Sequence, residues 1–142
     1  MIDRKGEARW QGNLREGRGT MRLGSGAFEG PYSFGSRFEG TPGTNPEELL
    51  GAAHAGCFSM ALALILTKAG HPPGSIATTA TVHLDKVGEG FAITSIDLST
   101  RGQVPGLAAP EFVRCAEEAK QNCIVSKALA AVPMRLEAVL TP

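Results

Sequence analysis

Three cysteines, Cys57, Cys115 and Cys123, are the residues with the most obvious capacity for chemistry in this sequence. No two of them have the CxxC spacing of a zinc ribbon or a thioredoxin-type motif. A low and odd number of thiols is also not typical of a disulfide-stabilised scaffold. The sequence therefore leaves three alternatives for these thiols: catalysis, redox sensing or simple burial.

Cys57 needs a nearby cation if it is to act as a nucleophile. The reactive form is the thiolate, and burial raises a thiol pKa above its usual value of about 8.5. Cys57 lies about three turns into a predicted helix, too far from the N-terminus for much help from the helix dipole. His54 at i−3 and Arg37 in the strand-to-loop segment "FGSRFEGTPG" are the candidates, and Arg37 is favoured because it stays charged. Glu47 lies near the same helical face as Cys57 and could hold the Arg37 guanidinium.

The remaining candidates have simpler interpretations. Cys123 ends the second predicted helix, and its thiol could attack an oxidised Cys57. Cys115 lies on the apolar face of that helix and is predicted to be a small buried hydrophobe. Taken singly, Cys57 is more often an inert core residue, and His54 a packed or hydrogen-bonded core histidine. A metal site on His54 and Cys57 would lack further ligands, so we expect neither a metal nor a cofactor.

The residues around Cys57 predict one long helix over residues 46–69. Asn45 is a good N-cap, Pro46 suits the first helical position, and Gly70 suits the position after the last turn. Such a helix spans about 36 Å, and its middle, "LLGAAHAGCFSMALALIL", is apolar on most faces. A domain of this size can hardly cover it alone, so the sequence predicts a partner subunit.

The other elements place this helix in an α+β fold. "EARWQG", "GTMRLG" and "YSFGSRFEG" predict strands before the helix, with Trp10 and Phe28 interpreted as core or interface packing. Residues 76–100 predict a hairpin, Pro110 starts a second helix, and "SKALAAV" and "MRLEAVLT" predict a short helix and a final strand. The order β-β-β-α-β-β-α-α-β indicates antiparallel sheet packed on helices in a single domain, residues 1–142.

Composition narrows the class of protein. Apolar residues make up 42% and charged residues 20% of the chain, which is typical of a folded globular domain. A formal net charge of zero disfavours nucleic acid or an anionic membrane as the main partner. No apolar run is expected to span a bilayer, and the start "MIDRKGEARWQG" lacks the apolar core of a secretory signal, so we expect a cytoplasmic protein.

Two segments, "SRFEGTPGTNPEELLGAAHAGCFSMALA" and "NCIVSKAL", resemble the osmotically inducible protein (OsmC) family of peroxiredoxin-like hydroperoxide reductases. The resemblance extends over essentially the whole chain and is to the OsmC subgroup rather than to the organic hydroperoxide resistance (Ohr) subgroup. It implies an intertwined homodimer in which antiparallel sheets wrap around long central helices, with both active sites at the subunit interface.

The resemblance also implies a role for each candidate residue. Cys57 matches the peroxidatic cysteine, Cys123 the resolving cysteine, Arg37 the thiolate-activating arginine and Glu47 the carboxylate that orients it. Ile124 stands where the family commonly has proline, which leaves a continuous helix through Cys123 open.

The activity that the resemblance implies is reduction of organic hydroperoxides, and less well of hydrogen peroxide, in defence against oxidative and osmotic stress. It proceeds through a Cys57 sulfenic acid and a Cys57–Cys123 disulfide. A dithiol, for which a lipoyl-type dithiol is one candidate, then reduces the disulfide.

Two other functions fit the residues. One is a non-enzymatic thiol redox sensor, although the sequence has no evident DNA-reading element or basic stripe. The other is a ligand-binding dimer whose cysteines are inert.

Overall fold

Six strands and four helices follow one another along the chain, in a computed structural model that describes residues 1–142. The chain forms two compact units, residues 1–49 and 50–142. The single domain expected from the sequence stays a prediction. The elements are β1 (Gly6–Gln11), β2 (Arg18–Leu23), β3 (Glu29–Tyr32), α1 (Phe34–Phe38), α2 (Pro46–Lys68), β4 (Ser75–Val87), β5 (Gly90–Gln103), α3 (Ala109–Asn122), α4 (Ile124–Ala128) and β6 (Met134–Thr141).

The first unit holds a three-stranded antiparallel sheet in the order β1-β2-β3. The segment "YSFGSRFEG", predicted as a strand, instead leaves the sheet at Tyr32 and forms α1. The reason is a reciprocal capping box, in which Ser33 and Ser36 each accept a hydrogen bond from the other's backbone N–H. Arg37 therefore lies on a short helix and not on the predicted strand-to-loop segment.

The second unit holds the sheet β4-β5-β6. The predicted hairpin is present, and β4 and β5 pair antiparallel. The last strand differs from the predicted antiparallel arrangement, because β6 pairs parallel with β5. Parallel neighbours need a long crossover connection, and α3 and α4 supply it.

Helix α2 begins as the sequence predicts. The Asn45 side-chain oxygen accepts a hydrogen bond of 2.8 Å from the Glu48 backbone N–H. The Glu48 carboxylate accepts from the Thr44 hydroxyl at 2.5 Å. Gly70, with φ of 84°, follows the last turn in the left-handed region that glycine adopts readily.

Helix α2 is more apolar than was predicted from the sequence. An 18-residue stretch of α2 has a mean hydropathy of 1.9 and is long and apolar enough to cross a membrane, so the expectation that no apolar run is long enough was wrong. Only 28% of this stretch is buried within the chain. The core helix of a globular protein can have the same length and composition.

The core of the second unit joins α2, α3 and β5. Phe58, Leu62 and Leu66 are completely buried on one face of α2. Cys115 is also completely buried in this core, which confirms its interpretation as a small hydrophobe. Because the core fixes α2 against α3, it determines which residue of the α3–α4 junction meets Cys57. The other members are Ile96, Leu98, Val104, Phe112, Ala116, Ala119 and Cys123.

Candidate active site

Cys57 and Cys123 meet in the second unit as free thiols joined by a hydrogen bond between their side chains. Cys57 is half-buried on α2, and Cys123 is 1% exposed. Cys123 has φ of −54° and ψ of 130°, which ends α3 and starts α4 at the next residue. The chain therefore bends at Cys123, and the continuous helix left open by Ile124 does not form.

The two thiols are electrostatically unequal. Burial raises the pKa of Cys57, but hydrogen bonds from the Cys123 side chain and from the backbone N–H groups of Val125 and Ile124 outweigh it, so the net pKa is lowered. Burial raises the pKa of Cys123, its hydrogen bond to Cys57 raises it further, and the N–H and hydroxyl of Ser126 only partly oppose them. Of the two thiols, Cys57 is therefore the one that loses its proton at the lower pH.

The donors from the first turn of α4 were not predicted from the sequence. Val125 and Ile124 carry no chemical signal in their side chains, because they act through the backbone. The only hint in the sequence was that Cys123 lies three residues before the short helix predicted from "SKALAAV".

Arg37 and Glu47 form the second predicted pair, within the first unit. The Arg37 Nε atom lies 3.1 and 3.3 Å from the two Glu47 carboxylate oxygens, and a terminal guanidinium nitrogen lies 2.7 Å from Oε1. The Glu47 side chain is 9% exposed and that of Arg37 is 38% exposed. The buried carboxylate thus orients a guanidinium that keeps part of its surface free. The four predicted site residues form two pairs, one in each unit.

An aromatic cavity of about 230 Å³ adjoins Arg37 in the first unit. The Arg37 guanidinium lies 5.2 Å from the centre of the Phe38 ring, and the Trp10 and Tyr32 rings are 5.3 Å apart. The sequence reading assigned Trp10 to packing and did not single out the ring pair of "FGSRF". The spacing of Phe34 and Phe38, four residues apart on α1, was the missed signal, hidden because α1 was taken for strand. The lining comprises Trp10, Leu14, Tyr32, Ser33, Phe34, Arg37 and Phe38.

His54 is completely buried on α2, and its Nε2 atom lies 2.7 Å from the Ser126 hydroxyl oxygen. This confirms the interpretation of His54 as a hydrogen-bonded core histidine. Burial lowers its pKa, so it does not supply a cation to Cys57. The chain brings together no group of three or more His, Cys, Asp or Glu side chains that could hold a metal ion.

Comparison with known proteins identifies the class to which this fold and site belong. A family model described as OsmC-like protein matches residues 38–137. The chain is 53% identical over 131 residues to peroxiredoxin OsmC of Escherichia coli (strain K12), with 92% of each chain covered. It is 31% identical over 90 residues to an organic hydroperoxide resistance protein of Xanthomonas axonopodis pv. citri (strain 306), covering 63% of this chain and 61% of the relative.

Solved structures show the same fold. The organic hydroperoxide resistance protein OhrB of Bacillus subtilis matches with a TM-score of 0.73 at 23% identity, covering 94% of this chain and 97% of that one. The fold is therefore the α+β fold of the OsmC and Ohr proteins, as the resemblance implied. This chain belongs to the OsmC family.

Proposed function

We propose that this protein is a thiol-dependent peroxidase that reduces organic hydroperoxides, and less well hydrogen peroxide, to the corresponding alcohols or water. The observation that carries the proposal is the hydrogen-bonded pair of Cys57 and Cys123, in which the pKa of only Cys57 is lowered. The names of the relatives, peroxiredoxin OsmC and organic hydroperoxide resistance protein, support the same activity.

In the first step the Cys57 thiolate attacks the terminal oxygen of the hydroperoxide. The O–O bond breaks, the leaving oxygen takes a proton and departs as the alcohol, and Cys57 becomes a sulfenic acid. Arg37, oriented by Glu47, stabilises the thiolate and the charge that develops on the peroxide oxygens. This role for Arg37 requires its guanidinium to reach a Cys57 sulfur in the assembled protein.

In the second step the Cys123 sulfur attacks the Cys57 sulfenic acid. The S–S bond forms, and the hydroxyl group of the sulfenic acid leaves with the Cys123 proton as water. The hydrogen bond between the two thiols supports this step, because the two side chains already meet in the reduced protein. A dithiol reductant, with a lipoyl-type dithiol as one candidate, then restores both thiols by thiol–disulfide exchange.

The preference for organic substrates rests on the cavity beside Arg37. Its lining is mostly aromatic, with Trp10, Tyr32 and Phe34 among the side chains that an alkyl or aryl group would contact. Transferring such a group out of water is favourable by roughly 25 cal/mol per Å² of apolar surface buried. Hydrogen peroxide has no such group and gains nothing there.

The working assembly is a homodimer in which a second copy of the chain covers α2. Met60 is 77% exposed and Leu64 is 55% exposed on this apolar helix. Large apolar surfaces of this kind mark interfaces. We also infer a single functional domain and a cytoplasmic location, in a role of defence against oxidative and osmotic stress.

The test is consumption of cumene hydroperoxide with a dithiol reductant, followed by mass spectrometry of the protein. Cys57→Ser should abolish turnover, and Cys123→Ser should consume one equivalent of peroxide without forming the intramolecular disulfide. Cys115→Ala is the matched control, because its thiol is completely buried and does not act on the pKa of Cys57 or Cys123, and it should keep turnover. Turnover by Cys57→Ser would refute the proposal, and a single oxidation of the wild type without recycling would favour the redox sensor.

A further inference from the structure

His54, Ser126 and Cys123 are three buried polar or titratable side chains of the second unit, and the first two are joined by a hydrogen bond. His54 and Ser126 are 0% and 5% exposed, and their Nε2 and Oγ atoms are 2.7 Å apart. Ser126 lies three residues after Cys123, in the first turn of α4, and its hydroxyl and backbone N–H partly oppose the rise in the pKa of Cys123 that burial causes. Neither residue has a role in the peroxidase mechanism described above.

The direction of these hydrogen bonds follows from the other ring nitrogen of His54. The Nδ1 atom is buried and has no hydrogen-bond partner. A proton on Nδ1 would leave a buried N–H donor unsatisfied, which is rare in folded proteins, whereas a bare Nδ1 leaves only a lone pair. The proton is therefore assigned to Nε2, which donates to the Ser126 oxygen and leaves the Ser126 hydrogen to point at Cys123.

His54 is suited to donate a hydrogen bond and not to accept the Cys123 proton. Burial lowers the pKa of His54 and raises that of Cys123, so proton transfer from the thiol to the imidazole is uphill. The only titratable group whose charge acts on Cys123 is Cys57, and no charged group contributes to the shift at His54. These surroundings therefore favour neutral His54 and Ser126 side chains that act as hydrogen-bond donors.

We propose that the Ser126 hydroxyl donates a hydrogen bond to the Cys123 sulfur as that sulfur becomes a thiolate and attacks the Cys57 sulfenic acid. His54 is the positioning residue, because its hydrogen bond to the Ser126 oxygen leaves the hydroxyl hydrogen free for Cys123. The inference rests on the proposed peroxidase function for its place in the reaction. Atoms balance as before: the Cys123 proton leaves with the hydroxyl group of the sulfenic acid as water, and Ser126 and His54 end unchanged. The same bond stabilises Cys123 as a leaving thiolate when the dithiol reduces the disulfide.

The experiment separates the two steps in a single turnover with cumene hydroperoxide. Peroxide loss reports oxidation of Cys57, and loss of the second thiol reports disulfide formation. Ser126→Ala should slow disulfide formation by about 10- to 100-fold, the range for one hydrogen bond to a charged group, and should slow peroxide loss much less. Ser126→Thr retains a hydroxyl and should restore most of the rate.

Ser59→Ala is the matched control, because Ser59 is another hydrogen-bonded serine of the second unit, partly buried and donating a hydrogen bond of 2.9 Å to Thr78. It should leave disulfide formation unchanged. His54→Gln keeps a neutral N–H donor and should stay near the wild-type rate, whereas His54→Leu should behave like Ser126→Ala. Equal rates in Ser126→Ala and Ser59→Ala, or equal losses in His54→Gln and His54→Leu, would overturn the proposal.

A second measurement does not depend on peroxidase activity. In a Cys57→Ser background, the ultraviolet absorbance of the thiolate, measured against pH, reports ionisation of Cys123. Cys115 adds the same absorbance in each variant and therefore does not affect the comparison. Adding Ser126→Ala should raise the pKa of Cys123, because the hydroxyl that favours the thiolate is gone. An unchanged titration would refute the donor role, whereas absence of peroxide turnover in the wild type would refute only the proposed function.

Discussion

The Arg37 side chain holds Glu47 through two different nitrogens, and this fork distinguishes arginine from lysine. An ammonium group is a point charge and cannot bind one carboxylate from two fixed directions while facing a substrate. We predict that Arg37→Lys lowers kcat/KM for cumene hydroperoxide by about 10- to 100-fold, a loss of about 1.4 to 2.8 kcal/mol of transition-state stabilisation.

The control for Arg37→Lys is Arg22→Lys. Arg22 also pairs with a glutamate in the first unit, Glu7, but both side chains are about half exposed on the sheet surface. Steady-state kinetics should show no effect of this change. A wild-type rate for Arg37→Lys would remove Arg37 from the mechanism.

The pH dependence of the first step belongs to the Cys57–Cys123 pair. The Cys123 side chain lowers the pKa of Cys57 by hydrogen bonding to its thiolate. Removing that donor in Cys123→Ala should raise the pKa of Cys57, so the pH at which single-turnover peroxide loss is half-maximal should move upwards. Cys123→Ser retains a hydroxyl donor and should stay closer to the wild-type profile. A profile that does not move, or that moves downwards, in Cys123→Ala would contradict this assignment.

At the scale of elements, strand β5 packs so closely on α3 that one position admits no side chain. A Cβ atom on Gly102 would come within 2.3 Å of the Phe112 ring, which is completely buried. Gly102→Ala should therefore reduce the free energy of unfolding by about 1 to 3 kcal/mol, the usual cost of overpacking. Urea denaturation followed by circular dichroism measures this change.

Gly90→Ala is the matched control on the same strand. No atom lies within 4 Å of its added Cβ, so the free energy of unfolding should stay within about 0.5 kcal/mol of the wild type. Equal effects of the two substitutions would show that β5 and α3 do not pack as described.

In the whole molecule, we propose that a second copy of the chain covers the exposed apolar surface of α2. Leu64, on α2, is 55% exposed, and Val87, at the tip of the β4–β5 hairpin, is 54% exposed. Leu64→Glu would place a charge in the proposed dimer interface, where desolvation of an unpaired carboxylate is costly. Analytical ultracentrifugation should show dissociation of the dimer. Val87→Glu makes the same change at equal exposure and should remain dimeric, and dissociation by both or neither would count against α2 as the interface.

The sequence by itself determined the features that depend on neighbours along the chain. The Asn45 cap and the Gly70 stop set the ends of α2 almost as predicted, because both act through local backbone geometry. The motif around Cys57 identified the family, and family comparison confirmed it. The pairing of Arg37 with Glu47 also followed, since both lie within a short stretch of chain.

Tertiary structure alone decided the features that join distant segments. The crossover through α3 and α4 made β6 parallel to β5, and packing of α3 on α2 brought the first turn of α4 to the Cys57 sulfur. The donors there are backbone N–H groups, which every residue except proline has, so no pattern of side chains could reveal them. The link between His54 and Ser126 was hidden for a different reason, because a hydrogen bond between side chains 72 positions apart depends on how helices pack and not on sequence spacing.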